Sequence, residues 1–258
     1  MAERNLDLNE RVEASRDPHR VAPPIKFELA DIKGHFDQSL DRIKNQYEVA
    51  DSLKQDGKED DCKNIWRSQV VFLEGILDFY LHEMSKYCLY KMFKGEWEKS
   101  QQYQSLQIPM KKVEEGIEAA ESKEWFFEYL NERFSRDVFL SLESMRKQLN
   151  LIGVGYGNVM HEAFQKDTIN ESQKYGDGVV QDLFKRRNAI AHQLDRDHAS
   201  AEQTDITKEF VEERASEVVA IVEAIHKIAV EKGYAIGHLL EMAGAFFLLG
   251  EIRAFFML

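Results

Sequence analysis

Beyond residue 24 this 258-residue chain contains one proline, Pro109. Proline ends helices more effectively than any other residue, because its ring clashes with the preceding turn and it donates no backbone hydrogen bond. Its near absence leaves almost the whole chain free to be helical. No apolar/polar alternation runs long enough for a sheet, and no internal repeat occurs. The expectation is therefore an all-α fold.

Residues 1–24 are polar and end in Pro23-Pro24. They read as a flexible N-terminal tail, since a residue before proline is pushed away from helix. Leu29, Ile32, Phe36, Leu40, Ile43 and Tyr47 then recur at steps of three and four, which is one apolar stripe of a long helix. A polar cluster at 55–60 ends it. Over roughly 62–93, apolar residues from Val70 to Leu81 cover most of a second helix's circumference, so that helix should sit centrally. Glu74, Asp78 and His82 draw a polar line down it at i, i+4 and i+8. An unpaired carboxylate in such apolar surroundings is costly, and Glu74 in particular needs a destination.

Residues 95–173 suggest shorter inserted helices with aromatic faces. The Gly153-x-Gly155-x-Gly157 run is read as a turn or hinge, because no strand precedes it. The polar stretch 166–178 reads as loop and 179–192 as helix. After a charged connector, Thr207 is a plausible N-cap with Glu209 in the first turn, and the helix it opens is expected to stop at Gly233. A separate apolar helical tail is expected over 234–258. Its Phe246, Phe247, Phe255 and Phe256 suggest packing on the domain or on a second subunit.

Charge and cysteine usage narrow the function. A net charge of −12 argues against a general nucleic-acid coat, which binds by releasing counterions from phosphates with Lys and Arg. Any RNA contact must come from a local basic spot. Cys62 and Cys88 have neither disulfide nor zinc spacing and read as reduced core thiols. The eight histidines form no HExxH and no tight cluster with carboxylates. No metal and no cofactor are expected. No apolar run is long enough to span a membrane, so a cytoplasmic chain without membrane contact is expected. Trp66, Trp97 and Trp125 read as core or interface residues.

The segment Arg186-Arg187-Asn188-Ala189-Ile190-Ala191-His192, late in a helix, carries the chemistry. It resembles the signature of the HEPN superfamily: an arginine, a polar residue, a short variable stretch and a histidine. With the charged loop and helix that follow, it looks most like the RiboL-PSP-type branch. The resemblance is strongest over 182–228. It implies a HEPN-like helical bundle over 25–233 with two long antiparallel helices, the segment 95–173 being poorly mapped. It also implies metal-independent endoribonuclease activity at a composite site in a homodimer, and use in toxin–antitoxin or phage-defence systems, with an antitoxin or defence protein as a further partner. Arg187, His192 and Asn188 take the catalytic places; Lys185 and Arg186 supply local positive charge for RNA, a tRNA or another structured RNA being the natural substrate. Glu74 is a supporting candidate.

Elementary geometry stands beside that resemblance. Five helical residues advance a side chain about 140° beyond a full turn, so Arg187 and His192 of one chain do not share a face. Asn188 and His192, at i and i+4, do. Histidine, with an unperturbed pKa of about 6.5, suits either proton role in 2′-OH transphosphorylation. Arginine keeps its charge and offers forked donors to phosphate. Two other readings stay open. In one the motif belongs to a non-catalytic HEPN-like module that binds RNA or protein; in the other the chain is a helical scaffold and the motif's cations only favour a helix C-terminus.

Overall fold

The computed structural model describes residues 25–119, 122–135, 137, 139 and 141–255, and beyond Gly233 it describes the backbone alone. The expected tail at 1–24 and the side chains of Phe246, Phe247, Phe255 and Phe256 lie outside the described residues. What is described is all-α. The helices are α1 (Leu29–Gln55), α2 (Glu59–Lys94), α3 (Met110–Glu118), α4 (Glu124–Phe134), α5 (Leu142–Leu151), α6 (Tyr156–Phe164), α7 (Ile169–Gln193) and α8 (Lys208–Phe255). A 3-10 turn spans Tyr103–Ser105. Among the described residues the only β pairing is an isolated antiparallel bridge between Arg196 and Gln203. No described helix is long and apolar enough to cross a membrane.

The central position expected for α2 follows from its sequence. Val70, Leu73, Leu77, Tyr80, Leu81, Met84, Cys88 and Leu89 are all buried, and the helix packs against α1, α4, α7 and α8. The α1 stripe of Ile32, Phe36, Leu40 and Ile43 closes one side; Val211, Val218, Val222 and Ile225 of α8 close another. Each such side chain stabilises the fold by roughly 1.5–3 kcal/mol through apolar area withdrawn from water. Tyr80 ties two of these walls together, its ring 5.7 Å from Phe36 and its hydroxyl donating to the Val222 carbonyl at 3.5 Å. Cys62 and Cys88 are buried free thiols, and Trp66 and Trp97 are buried as expected.

Two expected boundaries are corrected. The stretch 166–178 is not all loop: α7 begins at Ile169, nearly three turns earlier than its apolar residues suggest (about 3.6 residues per turn). A capping box starts it, with Glu171 N–H donating to Thr168 Oγ1 at 3.2 Å and Thr168 N–H to Glu171 Oε2 at 3.1 Å. Nor does the last helix stop at Gly233; α8 runs on to Phe255, and no separate tail helix begins at 234. The Gly153–Gly157 run is the expected turn, with Gly153 and Gly155 at φ +72° and +80° between α5 and α6.

Gly176 and Gly178, both in α7, face different surroundings. A methyl at Gly176 would run into the Met160 sulfur and the Phe164 ring, whereas nothing lies within 4 Å of one at Gly178. Gly176→Ala should therefore lose about 1–3 kcal/mol through overpacking, and Gly178→Ala should gain about 0.5–1 kcal/mol from helix propensity and reduced unfolded-state entropy. Urea unfolding of both variants checks this; equal shifts would contradict the packing of α6 on α7.

Candidate active site at the end of α7

Buried charge brings α7 and α2 together. Arg67 and Glu74 lie two turns apart on the buried side of α2, with 6% and 1% of their surfaces exposed. Arg67 Nε donates to Asp195 Oδ2 at 3.0 Å, while Glu74 forms an ion pair with Arg187. The pairs 67 with 195 and 74 with 187 run in opposite senses, so α7 lies antiparallel to α2.

Lys185, Arg186 and Arg187 are consecutive, and about 100° of helical rotation per residue sends them to three different places. Lys185 is exposed, with no ion pair among the described residues. Arg186 turns inward. Its Nη2 donates to Asp195 Oδ2 at 2.7 Å and to the Asp205 carbonyl at 2.8 Å, and its guanidinium lies 5.6 Å from the centroid of Phe210. The structure thus commits Arg186 to holding the loop after α7. Arg187 reaches Glu74 through Nε and donates from Nη1 to Asn188 Oδ1 at 3.0 Å. Its side chain remains 24% exposed, although its Nε atom is buried.

Asn188 and His192 share the outward face of α7 with Lys185. No hydrogen bond or ion pair among the described residues restrains the His192 imidazole. In one chain Arg187 therefore points into the α2–α7 seam while His192 points to solvent. The structure brings together Glu74, Arg187 and Asn188 but leaves His192 apart.

The loop after the motif is built, not slack. Leu194 and Asp195 both adopt left-handed backbone, at φ +50° and +62°, which costs non-glycine residues of order 1 kcal/mol each. The twist drops the Asp195 carboxylate, 1% exposed, between Arg67 and Arg186. Arg67 also donates to the Thr204 carbonyl at 2.9 Å, and Gln203 Nε2 to the Leu194 carbonyl at 2.8 Å. Sequence reasoning passed over Arg67 and Asp195. The available signal was an arginine on the buried arc of an otherwise apolar helix, which like Glu74 demands a partner.

The rest of the polar line on α2 has a structural task. Asp78 Oδ1 accepts from the Phe139 N–H at 3.0 Å, and the His82 ring tilts against Phe139 with centroids 4.4 Å apart. Both anchor the segment after α4. Among the described residues no group of three or more His, Cys, Asp or Glu side chains could hold a metal ion. No protein-family model, no curated protein and no solved structure matches this chain.

Burial pushes the Glu74 carboxyl up to about 7, with the Asp78 charge adding to the shift and Arg187 opposing it. Relative to the ordinary value of 4.5, the native state then holds the proton more tightly than the unfolded chain does. Stability must fall as pH rises between about 4.5 and 7. In Glu74→Gln that contribution disappears. The wild type should lose on the order of 1–3 kcal/mol relative to the variant across this window, read by urea unfolding at pH 4.5, 6 and 8. A wild type that instead gains on the variant with rising pH would mean that Arg187 outweighs the desolvation.

Proposed function

We propose that this chain is a metal-independent endoribonuclease of HEPN type whose site is completed by a second copy of itself. The observation that carries the proposal is the setting of Arg187. It sits half-open in the α2–α7 seam, turned from its own His192, beside an exposed apolar stripe. That stripe is Phe72 and Phe79, 47% and 46% exposed, on either side of Gly75, above which nothing lies within 4 Å.

The stripe is self-complementary. If two α2 helices cross antiparallel at Gly75, the glycine lets the backbones approach, and Phe72 of one copy meets Phe79 of the other. Because Arg187 is level with Glu74, the axis of such a dimer runs close to both guanidiniums. His192, on the following turn, flanks them from each side.

The chemistry needs these groups and no metal. One imidazole takes the proton from the ribose 2′-OH, whose oxygen attacks phosphorus. The bond to the leaving 5′-oxygen breaks, and the second imidazole, protonated, supplies its proton. The products are a 2′,3′-cyclic phosphate and a 5′-hydroxyl. Arg187 stabilises the extra negative charge on the phosphoryl oxygens, since its guanidinium stays charged and has donors beyond those turned to Glu74 and Asn188. Glu74 acts as the positioning residue that sets the angle of Arg187. Lys185, on the face of His192, is placed to meet a flanking phosphate. The resemblance implies toxin–antitoxin or phage-defence use.

The test is cleavage of tRNA and total RNA in excess EDTA. His192→Ala and Arg187→Ala should each lose about 100- to 10,000-fold in rate, the range for removing a proton-transfer or charge-stabilising group, and wild-type fragments should end in cyclic phosphate. Phe79→Glu should shift the solution mass from dimer to monomer and abolish cutting without unfolding the chain. Undiminished cutting by both active-site variants, or loss of wild-type cutting on chelation, would refute the nuclease. Wild-type binding to RNA without any cleavage would favour the non-catalytic module.

A further inference from the structure

Around the helix from the Arg187 seam, α7 borders a second feature that the nuclease reading does not use. A cleft of about 700 Å³ opens between the α6–α7 turn, α7 and α8, within the size range of small-molecule sites. Its lining includes Lys166, Tyr175, Asp182, Arg214 and Glu217. We infer that this cleft binds an organic cation, a guanidinium or ammonium group on a short apolar stem, held between the carboxylates of Glu217 and Asp182 against the ring of Tyr175.

Three observations carry this. Glu217 is 92% buried, counted from its 8% exposure, yet under-supplied with donors. Arg214 Nε approaches its Oε2 to 3.0 Å without an aligned hydrogen bond, and Tyr175 reaches Oε1 only at 3.5 Å. Arg214 is divided besides, its Nη2 lying 3.1 Å from Glu213. Burial pushes the Glu217 carboxyl up; Arg214 opposes the shift, and the negative charges of Glu213 and Asp182 add to it. A cation placed between Glu217 and Asp182 relieves both the desolvation and the repulsion.

Second, the ring already attracts a cation. The Lys166 ammonium lies 4.2 Å from the Tyr175 centroid and has no carboxylate partner among the described residues. It stands in for the ligand's charged group, because a ring face draws cations through its quadrupole. Tyr175 itself is 43% exposed, so a ligand can reach it. Third, the donor set does not suit a metal: no described group of three or more metal-ligating side chains exists. An aromatic wall and separated carboxylates fit a spread organic cation better than a compact ion.

Titration of the full chain with agmatine, which carries a guanidinium and an ammonium on one aliphatic stem, tests the inference by calorimetry. Saturable binding is expected. Glu217→Gln and the exposed Asp182→Asn should each weaken it by about tenfold, and Tyr175→Leu by about threefold, as loss of a charged partner or a cation–π contact predicts. Asp182→Asn keeps the test valid should Glu217→Gln fail to fold. Lys166→Ala should tighten binding about threefold by removing the resident competitor, an effect that loss of structure would not give. Asp41→Asn, exposed on α1, changes the net charge equally and should leave binding unchanged. Spermidine and a Gly-Gly-Arg-Gly-Gly peptide form the other arms: tighter binding of a free polyamine or of the peptide assigns the cation to a metabolite or to a partner's arginine. The inference fails if none of the three probes binds, if Asp41→Asn weakens binding as much as Asp182→Asn, or if Lys166→Ala weakens it. None of these outcomes depends on RNA cleavage.

Discussion

Two charges on the buried side of α2 fix how the rest of the domain is assembled. Arg67 and Glu74 are separated by two helical turns, and neither can lie in an apolar interior without a partner. Arg187 of α7 and Asp195 of the loop that follows it meet them in the opposite order, eight residues apart. Sliding α7 by one residue would rotate its faces by about 100° and leave both pairs broken. Breaking a buried pair by removing one partner typically costs about 3–5 kcal/mol, even though an intact pair contributes little net stability. The pairs therefore select one register more than they strengthen the fold. The raised Glu74 carboxyl fits that view, since the ionised group is held at a cost.

The same constraint explains what could be read in the sequence. The apolar arcs of α1 and α2 are long and regular, and period alone located both helices. Glu74 could be flagged from its own element, because a lone carboxylate among Val70, Leu73 and Leu77 needs a partner. The identity of that partner was not local information, as Arg187 lies far along the chain and reaches Glu74 only through the packing of α7. The basic run 185–187 illustrates the limit well. Composition makes the three residues alike, but helical rotation sends Lys185 to solvent, Arg186 to Asp195 and Arg187 to Glu74.

The missed helix boundaries have a different cause. The polar composition of 166–178, which includes Gly176 and Gly178, made the start of α7 look like loop, and Gly233 looked like the end of a helix. A glycine inside a helix costs only about 1 kcal/mol relative to alanine, which packing readily overrides. At Gly176 the missing Cβ is what admits Met160 and Phe164, so the glycine marks close helix contact instead of a break. A better local signal was present in Thr168 and Glu171, the reciprocal cap that defines where α7 begins.

Three arcs of α7 thus carry three distinct loads. One arc meets α2 with buried charge, the next presents Lys185, Asn188 and His192 to solvent, and a third borders the cleft at Tyr175 and Asp182. The first and third are joined by contact: Asp195 binds Arg186, Arg186 and Arg214 both lie over Phe210, and Arg214 pairs with Glu217 at the cleft. Each of these guanidiniums is also paired with a carboxylate, Arg186 with Asp195 and Arg214 with Glu217. The cleft and the loop beside His192 are thus linked by one continuous run of contacts. Contiguity by itself is not coupling, which would need two discrete arrangements of these contacts; in the structure Arg214 divides its donors between Glu213 and Glu217.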